Sequence, residues 1–360
     1  MTIFDYIKKY GNYSFKEKKL NEVDNIIFSC LSYVPLNDIV SSDFSNKITI
    51  EEAGKLYFEK NGKKIDKKQM ISIKQSILVF KKIMNVKRYK DILMHNYQYV
   101  SSDKLQFGAL SLDIDEHTVY VSFEGTDHLI SGWIEDYMIS CLFPVDAQKL
   151  SIKYLNRYLF NNKKLIVGGH SKGGHLSIIS SMYCNYFIKR RIIKIYSNDG
   201  LGLRQQEFES RKYRIIKNRI TKLVPEHSIV GYLLNSDSNI KIVKSSKKSF
   251  NSHNPSTWII KDNKFERSKY SKFCSILSKA LNRWLLQYDT DTKIKFTELI
   301  SNICKKHNIE TLYDLKGKKR LLLKDVLDSK NTDIKVKEMF KELYIIFREC
   351  NKEYKEEMVK

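Results

Sequence analysis

The sequence lacks the residue spacings that would assign it at once to a metal-binding or disulfide-stabilised class. Its six cysteines lie at positions 30, 141, 184, 274, 304 and 350, and no pair has the C-x-x-C spacing of a zinc site. We expect reduced, mostly packed thiols. No Gly-Lys-Ser/Thr follows the glycine-rich stretch, which excludes a Walker A phosphate loop. No RNP motif or set of paired zinc ligands indicates specific nucleic-acid binding.

Long apolar runs are absent as well. No segment approaches the roughly 18 uninterrupted apolar residues of a membrane span, and the first residues lack the basic stretch and apolar core of a signal peptide. These absences predict a cytoplasmic protein. With 42% hydrophobic residues among 360, the chain can form one large domain or two modest ones.

The chain has a net charge of +23, from 64 Lys and Arg against 41 Asp and Glu. The excess is spread along the sequence and is not concentrated in one run. A solvated basic surface is the default interpretation, and the charge is compatible with peripheral contact with an anionic membrane surface. The sequence gives no indication of an oligomeric state.

Glycine is scarce, with 14 in 360 residues, yet four glycines lie between Gly168 and Gly174. The apolar run at 165–167 predicts a buried strand, and the run at 176–182 is compatible with a helix, so these glycines mark a sharp strand-to-helix turn. Within it, Gly169-x-Ser171-x-Gly173 fits the nucleophile-elbow pattern, in which small neighbours let the serine adopt strained backbone angles. The pattern predicts Ser171 as a nucleophile. A purely structural turn is the alternative.

A strand predicted at 118–123 leads into the segment Glu124-Gly125-Thr126-Asp127. A glycine followed by a hydroxyl residue at the carboxyl end of a strand can supply a donor to a developing oxyanion. Capping of the next segment by Thr126 or Asp127 is the alternative. The aromatic-rich connection at 128–150, which includes Trp133 and Tyr137, could cover a site as a lid, although core packing is the commoner use of such residues.

Two later strands offer a carboxylate at their ends. The strand at 192–196 is followed by Asp199, and the strand at 220–224 by Glu226, so either could orient a catalytic histidine. His253 follows both in a loop, and the order nucleophile, acid, histidine is that of α/β-hydrolases. His253 is therefore the first choice for the base and His227 the second. A structural role for these histidines is the alternative.

At these positions the sequence resembles the class 3, or fungal-type, lipases of the α/β-hydrolase fold. The segment 123–127, with Trp133 and Asp136, is similar to their Phe-Arg-Gly-Thr…Trp…Asp pattern, and Gly169-His170-Ser171-Lys172-Gly173-Gly174 is similar to their Gly-His-Ser-Leu-Gly-Gly elbow. With Leu31-Ser32-Tyr33 and Asn198-Asp199-Gly200 included, the chain further resembles a little-studied group of bacterial lipase-like proteins classed as a domain of unknown function.

The resemblance implies an α/β-hydrolase fold, a mostly parallel sheet flanked by helices. It also implies Ser171 as nucleophile, His253 as base, and an oxyanion hole formed by the Lys172 backbone N–H and Thr126.

Three residues depart from the lipase pattern. Glu124 replaces the usual arginine, and Lys172 replaces the apolar residue after the serine, which puts a charge near the elbow. Ser228 stands where the acid would align. We therefore favour Asp199 over Glu226 as the acid.

We predict a hydrolase domain at 1–266, with a helical part at 1–95 and a catalytic core at 96–266. A helical C-terminal extension follows at 267–360, where Trp284 and Leu285 belong to a run with helical spacing. The predicted function is a serine hydrolase that cleaves carboxylic esters of a small molecule or lipid, with no metal or organic cofactor. A catalytically inactive hydrolase fold that binds a partner is the alternative.

Overall fold

The computed structural model describes residues 1–62, 71–102, 105–126, 130–237, 239–311, 314, 318, 324–326 and 333–359, and every structural statement below concerns these residues. Asp127, the alternative cap proposed above, lies outside them.

Within the described residues, eight strands form one sheet in sequence order. They are β1 (Ile48–Thr49), β2 (Leu93–Ser102), β3 (Leu105–Asp115), β4 (Thr118–Phe123), β5 (Lys164–His170), β6 (Ile192–Asn198), β7 (Ile220–Pro225) and β8 (Asn239–Val243). Pairing is antiparallel from β1 to β4 and parallel from β4 to β8. The carboxyl ends of β4 to β7 therefore meet at one edge of the sheet, where open α/β sheets place their functional groups.

Helices occupy most of the remaining described chain. They are α1 (Ile3–Tyr10), α2 (Glu22–Leu31), α3 (Ile50–Asn61), α4 (Ile71–Ile83), α5 (Ile130–Met138), α6 (Asp146–Asn156), α7 (Lys172–Tyr183), α8 (Tyr186–Arg191), α9 (Gln205–Phe208), α10 (Arg211–Ile216), α11 (Lys272–Gln287), α12 (Thr290–Lys306) and α13 (Ile334–Val359). Short 3₁₀ turns lie at Lys217–Arg219, Val230–Tyr232, Ser249–His253 and Pro255–Thr257, and a small ribbon pairs β9 (Ile260–Lys261) with β10 (Lys264–Phe265).

Successive side chains of a strand point to opposite faces of the sheet. Both faces of this sheet are buried. On β5, Ile166 joins the core formed with the N-terminal helices, whereas Leu165 and Val167 join the core formed with α6 and α7. Helices thus cover a mostly parallel sheet on both sides, and the predicted α/β-hydrolase fold is confirmed.

Helix α2 also fixes the end of β6, which carries a candidate acid. The side chain of Asn25 donates to Asn198 Oδ1 at 2.8 Å, and Asn198 Nδ2 donates to the Gly169 carbonyl oxygen at 2.9 Å. Asn25 and Asn198 are both fully buried. Because unpaired amides are costly in a core, these bonds hold the end of β6 against the strand that leads to Ser171.

The C-terminal helices pack against the preceding part of the chain. Trp284 of α11, Phe296 of α12 and Met339 of α13 share an apolar cluster with Tyr137 of α5. A second cluster joins Leu277 of α11 to residues at 229 and 233. None of the helices within the described residues is long and apolar enough to cross a membrane.

Candidate active site

Ser171 lies between the last residue of β5 and the first residue of α7. Its backbone has φ 56° and ψ −127°, a left-handed conformation that costs a non-glycine residue free energy. The flanking glycines permit this sharp turn. A Cβ at Gly169 would collide with the Gly173 carbonyl carbon, and one at Gly173 with the Phe123 carbonyl oxygen. The predicted strand, turn and helix are all present, and Ser171 has the backbone strain expected of a nucleophile elbow.

Asp199 and His253 form a short polar contact near this turn. Asp199 directly follows β6, has φ 50° and is fully buried, while His253 ends the 3₁₀ turn Ser249–His253. His253 Nδ1 lies 2.6 Å from Asp199 Oδ2. With an ionised carboxylate as acceptor, Nδ1 carries the proton and Nε2 is left as the basic nitrogen.

Ser228, the residue that stands where the acid would align, supports Asp199 instead of replacing it. Its hydroxyl donates to Asp199 Oδ1 at 2.6 Å and accepts from the Gly231 N–H at 3.2 Å. Asp199 therefore has a donor at each carboxylate oxygen, His253 at one and Ser228 at the other. Sequence reasoning treated Ser228 only as a departure and missed this contact.

Glu226, the second candidate acid, is bonded elsewhere. Its carboxylate accepts from the Ser245 N–H at 3.0 Å and from the Ser268 hydroxyl. His227, the second candidate base, lies beside it, with Nε2 3.9 Å from Glu226 Oε1. The structure thus brings Asp199 together with His253 and brings Glu226 together with His227.

His170, the residue before the nucleophile, holds the backbone of His253. Burial keeps the pKa of His170 well below its ordinary value, and the neighbouring His253 imidazole acts in the same direction, so the His170 ring is neutral. Its Nδ1 lies 3.2 Å from the Tyr33 hydroxyl, and its Nε2 lies 2.8 Å from the His253 carbonyl oxygen. Since a carbonyl only accepts, Nε2 carries the proton. Nothing in the sequence pattern marked this role, apart from Tyr33 within the family resemblance.

Ser171 and His253 line one pocket, together with His170. Among the described residues, no hydrogen bond joins Ser171 Oγ to the His253 ring. Catalytic hydrogen bonds are often longer in unliganded enzymes and shorten when substrate binds. The arrangement therefore supplies a strained serine and an oriented histidine at the same surface.

Thr126 and Lys172 are the predicted oxyanion donors. As the first residue of α7, Lys172 has no acceptor for its N–H within the helix. The Thr126 hydroxyl donates to Asp136 Oδ2 at 2.5 Å. Burial raises the pKa of Asp136 to about 6, and the charge of Lys172 acts in the opposite direction. The hydroxyl proton of Thr126 is thus directed at Asp136, and the donor left for a ligand is the Thr126 backbone N–H.

The side chain of Lys172 does put a charge near the elbow, and that charge is buried and paired. Its ammonium is fully buried and donates to the Gln106 carbonyl and side-chain oxygens, both at 2.7 Å, and to Glu135 Oε2 at 3.0 Å. Gln106 in turn donates to the Gly125 carbonyl oxygen at 3.2 Å. A buried network therefore joins the residue after the nucleophile to the loop that carries Thr126.

Two cavities open beside Ser171. The first, of about 210 Å³, also borders Lys172 and is lined mainly by leucine and aromatic side chains, including Leu201, Leu281 and Trp284. The second, of about 510 Å³, borders His253 and is the more polar of the two, with hydroxyl, amide and imidazole groups in its lining. Trp133 is 37% exposed and borders both cavities. Tyr137 packs against Phe296 of α12, with the two ring centroids 5.3 Å apart.

Comparison with known proteins gives a family match over most of this region. A family model described as Mbeg1-like matches residues 83–302. The crystal structure of M37 lipase has 16% sequence identity to this chain and a TM-score of 0.35, and the match covers 60% of this chain and 70% of the lipase chain. A fungal lipase–inhibitor complex is 17% identical and covers 41% of this chain and 66% of its own, with a TM-score of 0.30. No curated protein matches the chain.

The solved structures that match include lipases. Roles for individual residues follow from the contacts described above.

Proposed function

This chain belongs to the Mbeg1-like family, and we propose that it is a serine hydrolase that cleaves carboxylic esters through an acyl-enzyme intermediate. One observation carries the proposal. A serine with φ 56° at a strand-to-helix turn shares a pocket with a histidine whose other ring nitrogen lies 2.6 Å from a buried aspartate. A turn with a purely structural role does not require an oriented imidazole beside it, whereas a serine nucleophile requires an adjacent general base.

In the proposed reaction, His253 Nε2 takes the proton from Ser171 Oγ as that oxygen attacks the ester carbonyl carbon. The bond to the leaving alcohol then breaks, and the alcohol oxygen takes the proton from His253. A water molecule next gives a proton to His253 and attacks the acyl carbon. The bond from that carbon to Ser171 Oγ then breaks, Oγ takes the proton from His253, and a carboxylic acid leaves. Asp199 fixes the tautomer of His253 and stabilises its positive charge throughout.

The tetrahedral intermediate carries a negative oxygen, for which we propose the backbone N–H groups of Lys172 and Thr126 as donors. The Lys172 N–H lies at the start of α7, where the helix dipole also favours negative charge. The bond from the Thr126 hydroxyl to Asp136 fixes the position of Thr126. All these groups belong to the chain, so the chemistry requires no metal ion or organic cofactor.

Hydrolysis of a short activated ester tests the proposal. Purified wild-type protein should release p-nitrophenol from p-nitrophenyl butyrate, and Ser171→Ala should lower kcat by about a millionfold, to the background rate. Ser177→Ala is a matched control, because Ser177 is a buried serine of α7 whose hydroxyl donates to Gly174 and Tyr196 carbonyl oxygens. Turnover that survives in Ser171→Ala would exclude Ser171 as the nucleophile. A folded wild type without any turnover would favour the inactive binding module.

A further inference from the structure

We infer that the substrate is a single-chain acyl ester of a polar alcohol, with an acyl chain of medium length whose end is bounded by helix α11. This inference rests on the proposed function. It adds two features that an ester hydrolase need not have: a limit on chain length set by the C-terminal extension, and a polar site for the leaving group.

The apolar cavity is closed on one side by α11. Leu281, Trp284 and Leu285 form this wall, and Leu201, Val230 and Leu233 contribute the lining from the preceding part of the chain. The cavity volume is about 210 Å³. By proportion to a cavity of about 150 Å³ that binds benzene, this space admits an acyl segment of about eight carbon atoms. A much longer chain would have to displace the helix.

The α11 wall is fixed on both sides. Asn282 accepts from the Leu234 N–H at 2.7 Å and donates to the Tyr232 carbonyl oxygen at 2.9 Å, which attaches α11 to the loop across the cavity. On its outer side, the Trp284 indole N–H donates to the Met339 carbonyl oxygen at 3.1 Å. Because bonds run from α11 to both neighbours, the side chains that it contributes to the cavity lining are held in place.

The second cavity lies on the histidine side of Ser171 and differs in chemistry. Tyr33, Ser72, Gln75, Lys247 and Asn251 contribute hydroxyl, amide and ammonium groups to its lining. Within the described part of the chain, the buried Ser72 Oγ has no hydrogen-bond partner. A buried hydroxyl without a partner is unfavourable, so a ligand that offers hydroxyl groups would be stabilised there.

The position of His253 assigns the two cavities to the two parts of the ester. The leaving alcohol must receive its proton from the histidine, so it must occupy the cavity that His253 borders. The acyl chain then takes the apolar cavity, which Lys172 borders and His253 does not. A monoester releases an alcohol whose free hydroxyl groups can bond the unpartnered Ser72 Oγ, whereas in a triacylglycerol two of the three glycerol oxygens carry acyl chains, which favours the monoester.

The chain-length limit is tested with p-nitrophenyl butyrate, octanoate, dodecanoate and hexadecanoate. In the wild type, kcat/KM should be highest for octanoate, at least about tenfold above butyrate, since even one additional methylene bound in an apolar pocket changes kcat/KM by about that factor. Leu281→Trp should fill the cavity and lower the octanoate-to-butyrate ratio about tenfold. Leu281→Ala should move the optimum towards dodecanoate, which keeps the test valid if the tryptophan variant does not fold.

Leu286→Trp is the matched control, because Leu286 lies on the same helix but is 71% exposed and borders neither cavity. It should keep the wild-type ratio. A wild-type profile that is flat or rises through hexadecanoate would overturn the chain-length limit, as would equal ratios in Leu281→Trp and Leu286→Trp. In both cases the esters are still hydrolysed, so the proposed function survives. Failure to hydrolyse any ester would instead count against the proposed function.

The leaving-group site is tested with monooctanoylglycerol and trioctanoylglycerol in the same detergent. The monoester should have a kcat/KM at least about tenfold higher, because its glycerol can reach the polar groups around Ser72 while the diacylglycerol of the triester cannot. Faster hydrolysis of the triester would contradict the assignment of the second cavity to a polar alcohol.

Discussion

At the scale of single residues, Lys222 lies in an environment unfavourable to its own charge. It lies on β7, fully buried, and its Nζ has no hydrogen-bond partner among the described residues. Burial lowers the pKa of Lys222 to about 8, although the negative charge of Asp199 acts in the opposite direction. A cation close to the candidate acid is thus retained at a cost in stability.

The substitution Lys222→Met should raise the free energy of unfolding at pH 7 by the order of 1–3 kcal/mol. In the folded wild type Lys222 loses its proton near pH 8, whereas in the unfolded chain it does so near its ordinary value of 10.5. Between these values the unfolded state binds more protons, so rising pH stabilises the wild type through this group. The advantage of Lys222→Met should therefore shrink from pH 8 towards pH 10.5.

Urea unfolding of both proteins at pH 7 and pH 10 measures this difference directly. Comparing the two proteins removes the contribution of the tyrosines and cysteines, which titrate in the same range in both. A difference in unfolding free energy that is independent of pH would show that Lys222 is not the titrating group.

At the scale of secondary structure elements, buried contacts from α7 to α5 and β3 connect the start of α7 to the loop after β4. Lys172 of α7 pairs with Glu135 of α5, and both contact Gln106 of β3. Glu135 also accepts from the Ala147 N–H at the start of α6. A buried ion pair with additional hydrogen bonds specifies one arrangement of these elements, and here that arrangement positions Thr126 beside Ser171.

Removing one partner of this pair should be strongly destabilising. Lys172→Met leaves the Glu135 carboxylate buried without its cation and should lower the free energy of unfolding by about 3–5 kcal/mol. The double variant Lys172→Met/Glu135→Leu removes both charges and should recover most of that loss. Urea unfolding of the two single variants and the double variant gives the coupling energy. Additive losses in the double variant would contradict the assigned ion pair.

At the scale of the whole molecule, local patterns predicted the central sheet and its elbow. The strand and helix around Ser171 have strong apolar periodicity and glycines at fixed positions, so their structure depends on neighbours in sequence. The order nucleophile, acid, histidine also pointed to His253 as the base and left Asp199 and Glu226 open as the acid, and the structure places Asp199 Oδ2 2.6 Å from His253 Nδ1.

Contacts between distant segments could not be predicted in the same way. His170 and Tyr33 are 137 residues apart, and Lys172 and Gln106 are 66 apart, so no local spacing reveals either contact. The wall formed by α11 depends on the packing of the C-terminal helices against Tyr137. An amphipathic pattern predicts that such a helix has a buried face, but it does not identify the residues against which that face packs. The division into 1–266 and 267–360 stays a proposal, and the Leu281 variants test whether the extension takes part in substrate selection.

Labelling with a fluorophosphonate probe, read by intact-protein mass, tests the central claim that Ser171 is an activated nucleophile. The wild type should gain one adduct, and Ser171→Ala none. His253→Ala and Asp199→Asn should label at least about a hundredfold more slowly, because the base is lost or misoriented. Glu226→Gln should label at the wild-type rate. A folded wild type that takes no label, or an adduct that persists in Ser171→Ala, would contradict the account.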